Sequence, residues 1–137
     1  MLTLSNIYYS YTHRNQRNDV LKGISCTFES GKFYAIQGPS GSGKSTLLSL
    51  LSLLDHPTSG TILFNGQDIA TINPDDYRCN SVSMIFQQYN LLPFMTVLEN
   101  AAYPAELRGE PRKEALNAAM RFLNRVGLDR RHFRAQS

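Results

Sequence analysis

The sequence predicts an α/β protein, and three observations carry that prediction. Several short apolar runs with strand character are spread over the first 86 residues. One of them, at residues 33–36, is followed at once by a glycine-rich loop at residues 38–45 and then by a leucine-rich helical segment. The last third of the chain shows helical periodicity instead. A strand-rich part that leads into a helical part is therefore expected.

The first strands are indicated by their residue types and by their alternation. Residues 2–11 are rich in strand formers, and residues 24–28 alternate between apolar and polar side chains, as a half-buried strand does. The polar residues 12–19 between them are predicted to form a loop. Residues 33–36, Phe-Tyr-Ala-Ile, have the apolar and aromatic composition of a buried strand.

The middle of the chain alternates between helix and strand signals. A helix begins near Lys44 and ends at residues 55–57, Asp-His-Pro. Its leucines at helical spacing are Leu47, Leu50, Leu51 and Leu54. A strand at residues 61–64 runs into the hairpin-turn signal Asn65-Gly66.

Three further elements complete the chain. Pro74, followed by two aspartates, is predicted to open a short helix, and residues 82–86 have the composition of another strand. Residues 96–99, Thr-Val-Leu-Glu, form a capping box that opens a helix. The last helix is predicted to start near Pro111 and to end near Gly127. Its expected apolar face comprises Ala115, Ala118, Ala119, Phe122 and Val126.

The glycine-rich loop carries the chemistry. Residues 38–45 read Gly-Pro-Ser-Gly-Ser-Gly-Lys-Ser, the GxxxxGKS pattern whose backbone N–H groups cradle phosphates at a helix N-terminus. Lys44 would place its ammonium on the β and γ phosphates, and the Ser45 hydroxyl would ligate Mg²⁺. The alternative is a glycine-rich turn without a ligand, which the flanking strand and helix disfavour. The residues predicted to bind the nucleotide are Gly38, Pro39, Ser40, Gly41, Ser42, Gly43, Lys44, Ser45 and Thr46.

Length and composition limit the class of protein. The chain has 137 residues, of which 42% are hydrophobic, and this suits one small domain with a modest core. No stretch approaches the apolar length of a membrane span, and the N-terminus lacks a secretion-signal pattern, so a cytoplasmic location is expected. The cysteines and histidines are scattered, so we expect reduced thiols and assign none of these residues to a metal. They are Cys26, Cys79, His13, His56 and His132.

The positive charge is concentrated near the C-terminus. The chain carries a net charge of +3, but residues 108–134 alone hold eight Arg or Lys against three acidic residues. One interpretation is a basic face toward anionic lipid or a partner. The other is a solvated helix surface, which the interspersed apolar positions favour. Nucleic-acid binding has no further support in the sequence.

Taken together, these segments resemble the nucleotide-binding subunit of ABC transporters. The resemblance covers essentially every residue, and residues 6–11, 38–45, 54–60 and 86–100 carry it. The last two segments look most like the exporter subgroup that handles lipoproteins, macrolides and antimicrobial peptides. The resemblance implies a P-loop NTPase core with an antiparallel β subdomain and the start of an α-helical subdomain. It also implies two domain parts, residues 1–90 and 91–137.

The resemblance assigns nucleotide contacts outside the loop. Tyr11 would stack on the adenine ring, since a flat aromatic side chain offers contact area without demanding hydrogen bonds. From spacing alone, Tyr8 and Tyr9 would be alternatives to it. Val20 resembles the family residue that flanks the base.

Gln87 matches the family's Q-loop glutamine. Its carbonyl would ligate Mg²⁺, and its amide NH₂ would address the γ phosphate or the attacking water. Gln88 is interpreted as a surface neighbour, because adjacent side chains at the end of a strand point apart.

The segment after Gln87 is, by resemblance, the groove that receives a short helix of the membrane-spanning subunit. The docking residues would be Leu91, Leu92, Phe94 and Met95, which form an exposed apolar patch in this interpretation. Internal packing of the helical part is an equal alternative for the same residues. The implied partners are therefore a membrane-spanning subunit and a second nucleotide-binding subunit, at the inner face of the cell membrane.

The family pattern expects further motifs beyond Ser137: a signature, an acidic strand end and a switch histidine. Because phosphoryl transfer depends on groups that position metal and water, we predict that this chain binds Mg-ATP but does not hydrolyse it alone. It would then be an N-terminal portion, incomplete relative to the family, that exposes unpaired strand edges. The alternatives are a non-catalytic remnant or regulatory fragment, and a soluble ABC-type protein or another P-loop enzyme such as a small kinase.

Overall fold

The strand-forming residues of the N-terminal half make an antiparallel sheet. The computed structural model describes residues 1–14, 16–88 and 90–128, and the chain divides into the units Met1–Met84 and Ile85–Ser137. The described residues of the first unit form the sheet and two helices, and those of the second form two more helices. Each unit is described by itself.

In the described part of the chain, four strands form the sheet in the order β2-β1-β3-β4, and every neighbouring pair is antiparallel. The predicted strands at residues 2–11, 24–28 and 61–64 are confirmed. The strands are β1 (Leu2–His13), β2 (Gln16–Phe28), β3 (Ser59–Phe64) and β4 (Gln67–Asp68).

The predicted loop at residues 12–19 is wrong, because β1 and β2 continue through it as a hairpin. Tyr11 pairs with Asn18 and Thr12 with Arg17, so the ladder persists although its side chains are polar and exposed. A two-stranded ribbon that is exposed to solvent on both faces has no buried face, so its residues need not alternate between apolar and polar. The other strands were predicted from composition and from that alternation. The Asn65-Gly66 turn is confirmed: both residues have positive φ, 51° and 88°, as a two-residue hairpin loop requires.

Helix α1 (Lys44–Leu51) packs its leucines against the sheet and ends earlier than predicted. Leu50 is fully buried, whereas Leu53 adopts a left-handed φ of 51° and Leu54 is 48% exposed. A 3-10 turn (Ile69–Thr71) leads to helix α2 (Pro74–Asn80), which begins at the predicted proline. The Asn73 side chain caps α2 by accepting hydrogen bonds from the backbone N–H groups of Asp75 and Asp76.

Helix α2 holds the C-terminal end of α1. The buried Tyr77 hydroxyl donates to the Leu51 carbonyl at 3.0 Å, and Arg78 donates to the Leu53 carbonyl at 2.6 Å. The first bond satisfies a carbonyl that the helix end leaves unpaired, and the second fixes the segment that follows the helix. Burial raises the pKa of Tyr77, so its hydroxyl stays protonated as a donor.

The strands predicted at residues 33–36 and 82–86 are wrong. Within residues 1–14, 16–88 and 90–128, no strand pairs with either segment. Phe33 is 96% exposed and Ile85 is 98% exposed, whereas Val82 packs partly against the core of the first unit. An apolar run becomes a buried strand only where a neighbouring strand accepts its backbone hydrogen bonds, and no such neighbour is available to these runs in the described chain.

In the second unit, helices α3 (Val97–Leu107) and α4 (Arg112–Arg125) pack through alanines. The predicted capping box is confirmed, since the Thr96 hydroxyl accepts from the Glu99 N–H and the Glu99 carboxylate accepts from the Thr96 N–H. Arg112 of α4 reaches back to the Glu99 carboxylate at 2.8 Å.

The predicted apolar face of α4 is only partly right. Ala115 and Ala119 are buried, but Leu123 continues the stripe, while Phe122 is 65% and Val126 is 72% exposed. The buried positions therefore recur every four residues from Ala115, and the larger apolar side chains lie beside this stripe. The predicted end is confirmed, because α4 ends at Arg125 and Gly127, with φ 81°, follows the C-cap residue Val126.

We expect Leu50→Ala to reduce the free energy of unfolding by about 2–5 kcal/mol, because it empties a fully buried site beneath the sheet. Leu48→Ala on the same helix is the matched control, and since Leu48 is 43% exposed its loss should be about 0.5 kcal/mol or less. Urea unfolding followed by far-UV circular dichroism measures both. Equal losses in the two variants would contradict this packing.

The pKa of Glu99 is lowered, first by the hydrogen bond from the Thr96 backbone, then by the Thr96 hydroxyl and by Arg112. A lowered folded-state pKa gives stability that is present above the ordinary value of 4.5 and is lost as the pH falls below it. We therefore expect Glu99→Gln to flatten the decline in the melting temperature of the second unit below about pH 4.5. Glu114→Gln, which changes the first turn of α4, should leave that decline in place.

Candidate functional site

The glycine-rich loop ends where helix α1 comes very close to strand β2. Gly43 caps α1 with φ 89°, and a Cβ built there would lie 2.8 Å from Leu21 Cδ2 and 3.0 Å from Val20 Cγ1. Only glycine fits that backbone angle and that distance. The N-terminus of α1 is thereby fixed beside β2, and its first N–H groups are left at the exposed loop of residues 38–42.

The Lys44 side chain reaches back across the loop and binds its first residues. Its ammonium donates to the Gly38 carbonyl at 2.9 Å and to the Pro39 carbonyl at 2.8 Å, with the Ser42 hydroxyl at 3.4 Å. A positive charge at the positive end of the α1 dipole makes the loop favourable to anions. No acidic residue stands in the first turn of α1 to offset this.

Strand β1 brings Tyr11 to the same helix end. The Tyr11 hydroxyl lies 3.4 Å from Thr46 Oγ1, and the side chain is 49% exposed. Val20, on β2, lies against Gly43. The sequence-predicted residues Tyr11, Val20, Lys44 and Thr46 therefore surround one end of α1, with the exposed Ser45 between them.

A second tyrosine supports the first, in an arrangement that sequence analysis did not predict. Tyr9 is buried, at 7% exposure, and its ring meets that of Tyr11 edge to face with centroids 4.8 Å apart. Its hydroxyl donates a hydrogen bond to the Asp55 carboxylate, in the segment after α1. That bond, followed by burial and the neighbouring Tyr11, raises the pKa of Tyr9 well above its ordinary range.

A cavity of about 300 Å³ lies beneath the loop. The apolar side chains Leu21, Ile24, Ile36 and Leu47 line one part of it, and loop residues line the rest. Lys44 and Ser42 are among these loop residues, so the cavity combines an apolar wall with polar groups of the loop.

Gln87 and Gln88 belong to the second unit, in an irregular and exposed segment. The predicted role of Gln87 at the metal and the γ phosphate therefore stays a prediction. So does the assignment of Ser45 to Mg²⁺, although an exposed hydroxyl at the start of α1 is a suitable hard oxygen ligand.

The proposed docking segment is an ordered loop held by one asparagine. Asn100 Oδ1 accepts from the Leu92 N–H at 2.8 Å, and its Nδ2 donates to the carbonyls of Leu92, Met95 and Thr96 at 3.0 to 3.1 Å. Leu91 is 57% and Phe94 is 78% exposed. Leu92 and Met95 are half-buried, so the four residues divide between outward presentation and internal packing. The signal in the sequence that could have indicated this role is Asn100 itself, since asparagine disfavours helix interiors and Asn100 lies in a predicted helix.

The scattered cysteines and histidines do not converge in the described residues. No group of three or more His, Cys, Asp or Glu side chains comes together there. Cys26 is half-buried, and burial raises its pKa, whereas Cys79 is exposed. His132 and the basic residues 130–134 lie outside the described residues, as does the His13 side chain. Across residues 1–14, 16–88 and 90–128, no helix combines the length and apolarity needed to cross a bilayer.

Residues 21–137 match the model of a protein family described as "ABC transporter". The macrolide export ATP-binding/permease protein MacB of Shigella flexneri is 45% identical over 134 residues, covering 96% of this chain and 21% of that protein. An uncharacterized ABC transporter ATP-binding protein of Bacillus subtilis, YclH, is 39% identical over 124 residues, covering 90% of this chain and 55% of its own length. The chain thus spans about a fifth and about half of these relatives.

Solved structures share the fold. An ATP-binding cassette solved as a dimer in a post-hydrolysis state, bound to ADP and Pi, superposes with a TM-score of 0.87 at 29% identity, over 97% of this chain and 60% of that one. A bacterial Atm1-family ABC exporter with ATP bound gives a TM-score of 0.66 at 35% identity, over 74% of this chain and 17% of that one. The predicted cassette fold is therefore confirmed, and the chain covers part of it.

Proposed function

This chain belongs to the ABC transporter family, and on that premise we propose that it is the ATP-binding, energy-coupling part of an ABC exporter. The observation that carries the proposal is the exposed loop at the N-terminus of α1, with Lys44 across it and Tyr11 beside it. The export function rests on the similarity to a macrolide export ATP-binding/permease protein.

The loop's own groups account for phosphate binding. A triphosphate would accept hydrogen bonds from the backbone N–H groups at the start of α1 and would draw Lys44 away from the carbonyls of Gly38 and Pro39. The base would stack on the half-exposed Tyr11 ring, with Val20 at its edge. The related cassette solved with ADP and Pi bound supports a nucleotide as the ligand.

Magnesium fits the donors that the chain offers. Mg²⁺ takes hard oxygen ligands, keeps several waters and binds beside substrate phosphates. The protein therefore needs to supply few ligands, and one hydroxyl at the loop can be one of them. We propose Ser45 as that ligand and Gln87 as a second. The ion would neutralise charge on the β and γ phosphates, and Gln87 would orient the attacking water.

We propose two protein partners. The first is a membrane-spanning subunit or domain that docks at Leu91, Leu92, Phe94 and Met95, for which the exposed Phe94 ring, presented on an ordered loop, is the supporting feature. The second is another nucleotide-binding subunit, since a related cassette was solved as a dimer. This assembly would operate at the inner face of the cell membrane.

Two predictions from the sequence remain open to test. We propose that these 137 residues bind Mg-ATP but turn it over too slowly to measure, because the resemblance assigns water activation to motifs that are not among them. The division of function into residues 1–90 and 91–137 likewise stays a prediction. A rate of Mg-ATP hydrolysis that disappears in Lys44→Ala would refute the first.

We expect Lys44→Ala to weaken Mg-ATP binding by at least about tenfold, because a charge-assisted hydrogen bond to phosphate is lost. Lys113→Ala removes an equal charge from exposed α4 and should leave the affinity unchanged. Isothermal titration calorimetry measures both, and chelating Mg²⁺ with EDTA should weaken binding by the wild-type chain. Unchanged affinity in Lys44→Ala would sink the proposed ATP site.

We expect Phe94→Ala to weaken binding to the cognate membrane-spanning subunit by about fivefold or more, because buried aromatic anchors dominate interfaces. Leu107→Ala is the control: it also truncates an exposed apolar side chain of the second unit, at 66% exposure, but lies outside the docking loop. Quantitative copurification with that subunit compares the two. Similar retention of both variants would remove the docking assignment.

A further inference from the structure

The Tyr11 ring is not held by its own strand alone. It is 49% exposed, and the pairing of β1 with β2 shifts register between Tyr9 and Ser10, directly before it. A register irregularity of this kind re-aims the side chains that follow. The direction of the Tyr11 ring therefore depends on the side chains that it contacts.

Those contacts lead to Tyr9. The two rings meet edge to face, with centroids 4.8 Å apart and planes at 83°, which is a favourable aromatic arrangement. The Tyr9 ring is itself buried, and its hydroxyl is tied to the Asp55 carboxylate. The opposite end of Tyr11 contacts Thr46 at the first turn of α1.

The segment after α1 is fastened to β1 at the same place. The Thr58 N–H donates to the Tyr8 carbonyl at 2.8 Å, and the Ser10 N–H donates to the Thr58 hydroxyl at 3.1 Å. Asp55 is further fixed by the His56 N–H, which donates to its other carboxylate oxygen at 2.8 Å. The contacts therefore run from Asp55 through Tyr9 to the Tyr11 ring, on which the base is proposed to stack.

We propose that Tyr9 and Asp55 form a positioning pair that holds the Tyr11 ring in the orientation needed to stack on a nucleotide base. The inference rests on the proposed ATP site and deepens it. A ring that is already ordered loses less conformational freedom on binding, so the pair raises affinity for the base without touching the ligand. A tyrosine hydroxyl is protonated at physiological pH, and the raised pKa of Tyr9 extends this donating state to higher pH.

The test separates base binding from phosphate binding by comparing Mg-ATP with Mg-tripolyphosphate in the full chain. Stacking of a base on an aromatic side chain is worth about five- to 150-fold in affinity. Tyr9→Phe keeps the ring but removes the hydroxyl, and should weaken ATP binding by about three- to tenfold. It should leave the affinity for tripolyphosphate unchanged, which also shows that the variant is folded.

Two further variants make the test specific. Tyr8→Phe removes a hydroxyl from the neighbouring, 44% exposed tyrosine and should change neither affinity. Tyr11→Ala should weaken ATP binding alone, and adding Tyr9→Phe to it should cause no further loss, because the pair acts only through that ring. Additive losses, equal losses for the two ligands, or unchanged ATP binding in Tyr9→Phe would each overturn the positioning role.

The same measurements distinguish this inference from the proposed function. If wild-type protein binds ATP no better than tripolyphosphate, while Lys44→Ala weakens both, the phosphate site stands and the positioning pair falls. If Lys44→Ala weakens neither ligand, the ATP site itself fails, and the inference that rests on it fails as well.

Discussion

The close approach of helix α1 to strand β2 at Gly43 is the constraint on which the candidate site depends. A side chain at this position would collide with Val20 and Leu21, and the backbone angle there excludes other residues without strain. The contact sets the position of the loop on one side of the helix end. Leucines buried under the sheet and the hydrogen bonds from Tyr77 and Arg78 fix the rest of the helix. The N–H groups of the first turn thus have a defined direction.

Features determined by local hydrogen bonds were predictable from sequence. The Asn65-Gly66 turn, the start of α2 at Pro74 and the capping box at Thr96 each depend on a few neighbouring residues, and each was correct. The strands predicted at residues 33–36 and 82–86 were wrong, because a strand depends on a partner that is distant in sequence. Their composition favours strands, but strand formation is a property of a pair, and the described chain supplies no partner for them.

The same distinction applies to the candidate site. The loop and Tyr11 could be found because motif and family resemblance name residue types at fixed spacings. The link from Tyr9 to Asp55 joins residues 46 positions apart, and nothing in their spacing predicts it. Asn100 is intermediate, since its unusual position inside a helix hinted at a role, but its four hydrogen bonds to the preceding loop depend on how that loop folds back.

The contacts of Lys44 within its own loop change how phosphate affinity should be understood. Because the ammonium already has carbonyl and hydroxyl partners, an incoming anion exchanges one set of hydrogen bonds for another. The free energy of phosphate binding would therefore be a difference between two states, in each of which the Lys44 ammonium has hydrogen-bond partners. Removing the lysine would delete the proposed phosphate contact and would also release two loop carbonyls. The energy lost on truncation then includes the loss of these contacts within the loop, so it does not equal the strength of a lysine–phosphate bond.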